Sequence, residues 1–353
     1  MAGLDNQIVW GLPHVFAIFM IVSASGALNI GSMASVFGQT AYKPHAPLSG
    51  LLAIALLAGG LAVLVLDLGR PDRLMVAATN INPTSVFAWN VLLYSGFFAL
   101  VAAYLWCLMG PAIKHWSTLA GIFAFTWRFI LTTGTGCIFG FLVARQAYQS
   151  ALLAPLFIVF SLAWGLAAFL LVQAACFAWK KMTLPSDVAA RLMRLLGIFV
   201  LASLYLVAVL HLTHAYYARQ QGFEYFILFS GAPFPLLFWV GYVLLGSLIP
   251  LGLLWTGAEH TASLRRNLSA FLVILGAFAQ LYVFIVGGQS FPLELFPGFT
   301  VSSSFADGQI NAYTPNLHEL VLGLGGLLLC LLIVALGVRV LHFLPQDNPK
   351  TTP

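Results

Sequence analysis

Asp67 closes a run of apolar residues that begins near Pro47, directly after Val63-Leu-Val-Leu66, and two arginines, Arg70 and Arg73, follow within six residues. An ionisable group at that depth in an apolar helix is costly, so it ordinarily faces a cavity and does chemistry. Other proton-exchanging groups occupy matching positions. His14 opens the first apolar run, His211 and His214 lie three apart near the end of the sixth and so share one helix face, and His318 and Glu319 open the ninth. A carboxylate and an imidazole held close together form a proton-accepting pair. The plainer alternative is that these groups sit at an interface, where water reaches their polar ends. It is weakest for Asp67.

The elements that must position these residues follow from composition. Of 353 residues, 61% are hydrophobic and 7% charged, and the mean hydropathy is +0.97. A soluble domain cannot cover that much apolar surface. Runs of 18 or more apolar residues read as membrane spans, and nine occur, at about 13–37, 47–68, 85–109, 118–145, 151–179, 191–217, 231–256, 267–288 and 316–342. They are continuous rather than alternating, which excludes a β-barrel. The expected class is all-α integral membrane, one polytopic domain over residues 1–353. Residues 1–9 lack Lys and Arg and contain Asp5, so they do not read as a cleavable signal, and the first span is expected to be retained.

Loop charges set the expected orientation. Ten of the fifteen Lys and Arg residues fall in odd-numbered loops or the C-terminal tail, four fall on the N-terminal side, and Arg128 lies within the fourth span. The expectation is a multi-pass protein of the bacterial inner (cytoplasmic) membrane, with the N-terminus periplasmic and the C-terminus cytoplasmic. The net charge of +5 then belongs to loops held at the cytoplasmic face and does not indicate nucleic acid.

Redox metal chemistry finds little support. Cys107, Cys137, Cys176 and Cys330 lie in separate spans without a C-x-x-C pair, so no iron–sulfur or zinc site is readable and no metal ligand is assigned. A transmembrane haem wire needs histidines stacked at two depths on facing helices, whereas His14, His211, His214 and His318 gather at one face. A single haem there stays open. Arg128, Gln280 and Tyr282 are polar groups within spans. They read as a proton or water path, with snorkelling to the cytoplasmic face the alternative for Arg128. The segment 289–315 contains three prolines and several large apolar residues. It is expected either to lie on the membrane or, as its acids favour, to cover a partner. The face that gathers His14, Asp67, His211, His214 and Glu319 suits a lipid-soluble quinol, whose two hydroxyls must lose protons as its electrons leave.

Asp67-Leu-Gly-Arg-Pro-Asp-Arg73, Asn82-Pro-Thr-Ser85, Gly287-Gly-Gln-Ser-Phe-Pro292, Tyr313-Thr-Pro315 and Glu319 together resemble the NrfD/PsrC family, the membrane subunits of polysulfide reductase, nitrite-reduction and related quinone-linked complexes. The resemblance covers nearly the whole chain. It implies two four-helix bundles, about 13–146 and 151–290, with 316–342 as an extra C-terminal helix. It also implies no haem, and a quinone site at the outer face beside a ferredoxin-like iron–sulfur subunit. The last outer loop is similar to the DsrP-like branch of sulfur-metabolism complexes. Ser23-Ala-Ser-Gly26 departs from the more glycine-rich stretch expected in the first span.

The expected function is therefore exchange of electrons between a quinone or quinol, menaquinone or ubiquinone, and an external iron–sulfur subunit, with a molybdopterin or cytochrome subunit beyond it. Asp67 and His14 are the expected catalytic pair. His14, Asp67, Arg70, His211, His214 and Glu319 are the candidate binding residues. A secondary transporter or a haem-b anchor is the competing reading, and a reduced-minus-oxidised spectrum separates the haem anchor from the rest.

Overall fold

In a bilayer each backbone N–H and C=O must find its partner within the protein, which restricts a chain this apolar to helices. The computed structural model describes residues 8–256, 262–293, 308–341 and 343–345. Most of the 289–315 segment, together with His260 and His342, therefore lies outside the described residues. Among those described, nine helices are long and apolar enough to cross a membrane: α1 Leu12–Ser35, α2 Thr40–Asp67, α3 Val86–Met109, α4 Pro111–Gly140, α5 Leu153–Lys180, α6 Ser186–Tyr216, α7 Phe234–Trp255, α8 Ala262–Ser290 and α9 Leu317–Val340. The shortest has 22 residues. At about 1.5 Å rise per residue it spans a hydrocarbon core of roughly 30 Å. The chain is an all-α integral membrane protein.

α5 is the hub. It packs against α1 and α4 on one side and against α6 and α8 on the other, while α7 packs on α8. α9 lies against α2 and α1. Lipid offers no hydrophobic drive for these contacts, so close approach of backbones must hold them. The tightest crossing pairs Gly26 with Gly165: a β-carbon on Gly26 would sit 1.6 Å from the Ser161 carbonyl oxygen. On α9, a β-carbon on Gly323 would meet the Phe16 ring and one on Gly326 would meet Val63, whereas Gly325 faces open space, so Gly323 and Gly326 serve packing.

Two features depart from regular helices. α1 is interrupted at Leu28, between α-helical Leu12–Ala27 and Asn29–Ser35. α7 is π-helical over Leu237–Leu248, and α8 over Val283–Gly287. π-turns shift the face presented by the residues beyond them and concentrate at functional sites. In α8 the shift falls between Tyr282 and Gln289, both used below.

Candidate functional site

The first turn of a helix leaves its N–H groups without intrahelical partners, and the N–H groups of Leu12 and of the segment leading into α1 are satisfied from distant parts of the chain. Gln289, at the end of α8, accepts from the Val9 and Trp10 N–H groups, each at 3.0 Å, and donates to the Trp10 carbonyl at 2.9 Å. Tyr313, just before α9, accepts from the Leu12 N–H at 2.7 Å. Pro13 has no N–H to satisfy. Arg145 donates to the Gln289 carbonyl at 2.9 Å, and Tyr148 donates to that of Ile285 at the same distance. Burial lowers the Arg145 pKa and raises that of Tyr148. Trp10 then packs among His14, Phe139, Tyr148 and Phe87 in tilted and edge-on contacts, with ring centroids 5.5–6.4 Å apart. These contacts hold the entry to α1, and with it His14.

His14 Nδ1 lies 2.9 Å from Asp67 Oδ2, with side chains 22% and 5% exposed. The contact is at ion-pair distance, but the ring nitrogen makes no well-aligned hydrogen bond. Asp67 is the last residue of its helix. A carboxylate there faces the negative end of the helix dipole and an imidazolium at the start of α1 faces the positive end, each unfavourable by roughly 0.3–1 kcal/mol. A pair that breaks the local rule at both helix ends, yet is held together, fits a functional role better than a structural one.

The loop after Asp67 turns outward. Arg70 lies 3.9 Å from Asp72, both about two-thirds exposed, an arrangement that contributes little to stability. Arg73 is exposed. Arg70 is thus directed to the surface and not onto the His14–Asp67 contact.

His211 and His214 converge on Glu224, at 2.9 and 3.0 Å through their Nδ1 atoms. Glu224 sits in a short helix, Gln221–Tyr225, that folds back against the end of α6. The carboxylate is 4% exposed, His214 is 2% exposed, and the Nε2 atoms of both histidines are buried without a partner. Burial alone would raise the Glu224 carboxyl, but hydrogen bonds and charge from His211 and His214 outweigh it and hold the group below its ordinary value of 4.5. A depressed carboxyl contributes stability that is full above the unfolded value and is lost as pH falls through the folded one. Glu224→Gln is expected to cost about 1–3 kcal/mol at neutral pH and to flatten the acid limb. Thermal unfolding of the detergent-solubilised protein across the acid range checks this, and an unchanged acid limb in the variant would sink it.

The remaining candidates lie apart. Arg128 is 3% exposed. Its guanidinium donates to Asn29 Oδ1 at 2.7 Å and to the Ser25 carbonyl at 3.3 Å, flanked by the Phe125 and Phe129 rings. It is caged, not snorkelling. Gln280 is buried, and its Oε1 has no partner. Tyr282 faces cavities, and no hydrogen bond joins the three residues among those described. Glu319 is 3% exposed and accepts from the Tyr313 hydroxyl, whereas His318 is exposed. The four cysteines are free, and among the described residues no cluster of His, Cys, Asp and Glu could hold a metal ion.

Sequence reasoning did not find the roles of Gln289, Glu224 and Asn29. Glu224 carried a readable signal, as an acid within the apolar segment Phe223-Glu-Tyr-Phe226. Asn29 carried none.

The sequence profile described as polysulphide reductase, NrfD, matches residues 1–293. This chain belongs to the NrfD family. The match ends before α9, so Tyr313 and Glu319 lie beyond it. A relative from Archaeoglobus fulgidus, named Hdr-like menaquinol oxidoreductase integral membrane subunit, is 28% identical over 98% of this chain and 87% of its own length. A selenate reductase subunit from Mesobacillus selenatarsenatis is 23% identical over 100% of this chain and 92% of its own. Membership agrees with the resemblance read from the Asp67–Arg73 motif and with a multi-pass membrane protein.

Proposed function

We propose that this NrfD protein is the quinone-reactive membrane subunit of a multi-subunit oxidoreductase. It exchanges electrons between a quinol in the bilayer and an iron–sulfur subunit docked over the face that carries the start of α1 and the end of α2. The observation that carries the reading is the His14–Asp67 contact, 2.9 Å across the ends of α1 and α2 with the carboxylate nearly buried. A quinol hydroxyl brought to this pair loses its proton to it as the electrons pass to the partner. The aromatic wall of Trp10, Phe139 and Tyr148 excludes water on one side. Arg70 and Arg73, exposed on the adjoining loop, face the partner. His211, His214 and Glu224 form a second proton-accepting centre at the same face. The name of the Archaeoglobus relative supports menaquinol as the substrate, and the name of the selenate reductase relative supports assembly with a catalytic reductase. The direct test is quinol-driven electron transfer by the assembled complex carrying Asp67→Asn, with a normal rate removing the assignment.

The reading requires the face with the start of α1 and the end of α2 to point outward, periplasmic in a bacterial inner membrane, as the charge distribution of the loops supports. Single cysteines at Ser186 and Ser230, both exposed and at opposite ends of the helices, check this. An impermeant thiol reagent added outside intact cells is expected to label position 230 and spare 186. The reverse pattern would overturn the orientation and the outward docking surface together.

A further inference from the structure

Two cavities meet on the side of α1 away from Asp67. One, of about 740 Å³, lies among Tyr282, Tyr313, Asn311, Thr314, Phe234 and Pro233. The other, of about 560 Å³, is an apolar groove among Leu12, Phe16, Leu237, Leu275, Phe278 and Leu320. They share Pro233, Tyr282 and Pro315, so a largely apolar chamber that carries the Tyr282, Tyr313 and Thr314 side chains continues into an oily channel. The groove wall comes from α1, α7, α8 and α9, all membrane-spanning, so its natural occupant is a lipid-soluble tail.

The chemistry of the chamber restricts the head. The Tyr313 hydroxyl donates its only proton to Glu319 and accepts from the Leu12 N–H. A phenolic oxygen so engaged has no donor left for a ligand and one lone pair to offer. Burial and the adjacent carboxylate raise the Tyr313 pKa above the ordinary range, so the hydroxyl keeps its proton. Tyr313 therefore accepts from a hydroxyl donor, and a carbonyl oxygen placed against this phenolic oxygen finds no proton on it.

We propose that the Tyr313 chamber and its groove are a second lipid-quinol position, separate from the His14–Asp67 pair and selective for the reduced form. It rests on the proposed function for the identity of the lipid, and no electron step is assigned to it. Tyr313 and Glu319 are binding residues here. Both lie past residue 293, where the family match ends, and the segment before α9 and α9 itself supply one wall of the position.

The test uses the assembled complex and a menaquinone analogue with a photoreactive diazirine on its isoprenoid tail, presented reduced or oxidised. The reduced probe is expected to label residues within 275–282 and 308–320, and the oxidised probe several-fold less, with one hydrogen bond worth about a three- to tenfold preference. Tyr313→Phe is expected to erase that preference. Because Tyr313 also holds the start of α1, Leu320→Trp provides an independent check, filling the groove and abolishing the label. Labelling confined to other helices, equal labelling by both probe forms, or a tightly bound phospholipid that blocks the label would each overturn the proposal. Asp67→Asn is expected to lose turnover and keep this label. A missing label with an inactive Asp67→Asn defeats only the second position, whereas an active Asp67→Asn defeats the proposed function.

Discussion

Asp67→Asn is expected to lower quinol-driven electron transfer by about a hundredfold or more, the usual size of a general-base contribution, while the complex still assembles. Asparagine keeps the shape and one acceptor oxygen, so it can stay beside His14, but it cannot take a proton at working pH. His14→Ala is expected to give a related loss. The double variant should fall short of the product of the two effects, because groups that act on one quinol are coupled and non-additive. A structural role makes the opposite forecast. If Asp67 only offsets the charge at the helix ends, the asparagine variant loses complex yield and keeps the rate per assembled complex. Turnover normalised to assembled complex separates these outcomes.

Gly26→Leu is expected to prevent stable folding. α1 and α5 cross where a β-carbon on Gly26 would sit 1.6 Å from the Ser161 carbonyl oxygen, and the facing Gly165 would drive its own β-carbon to 2.3 Å from the Ala27 nitrogen. The obstacle on each side is backbone, which cannot rotate away as a side-chain tip can. The cost should exceed about 3 kcal/mol, the upper part of the usual range for overpacking. As α5 also carries α4, α6 and α8, separating it from α1 loosens the centre of the molecule. The expected result is little folded protein in membrane extracts and an early melting transition in what remains. Gly252→Leu, at a glycine with open space around it, is the matched control. Equal yields of the two variants would show that the α1–α5 crossing is not decisive.

The nine spans were legible because lipid imposes one rule on long apolar runs, and each run of the sequence coincides with a helix. The departures arise where more polar residues extend a helix at its start: α2 starts at Thr40 ahead of the run from 47, α4 at Pro111 ahead of the run from 118, α6 at Ser186 ahead of the run from 191 and α8 at Ala262 ahead of the run from 267. The meeting of His14 and Asp67 was legible too, since both lie at span ends on one face. The partners that position them were not. Gln289 reaches Trp10 across 279 residues, and nothing in a Gly-Gly-Gln-Ser sequence says which carbonyl its amide will meet. His211 and His214 were visible as a pair, but their carboxylate comes from a chain reversal after α6, a matter of loop conformation rather than periodicity. Arg128 was visible as an expensive residue, while its neutral cage depends on Asn29 following the break at Leu28, which hydropathy does not record. The π-helical stretches escape for a related reason: their residues are as apolar as those of an ordinary span.

The start of α1 is held by Gln289 and Tyr313, residues made long after it. A ribosome that has delivered His14 and Asp67 to the membrane has supplied both members of the pair but not the clamps that fix the approach to α1. The order of translation therefore leaves the first turn of α1 unclamped until α8 and the segment before α9 arrive. A chain that stops short of Gln289 carries His14 on a loose first turn.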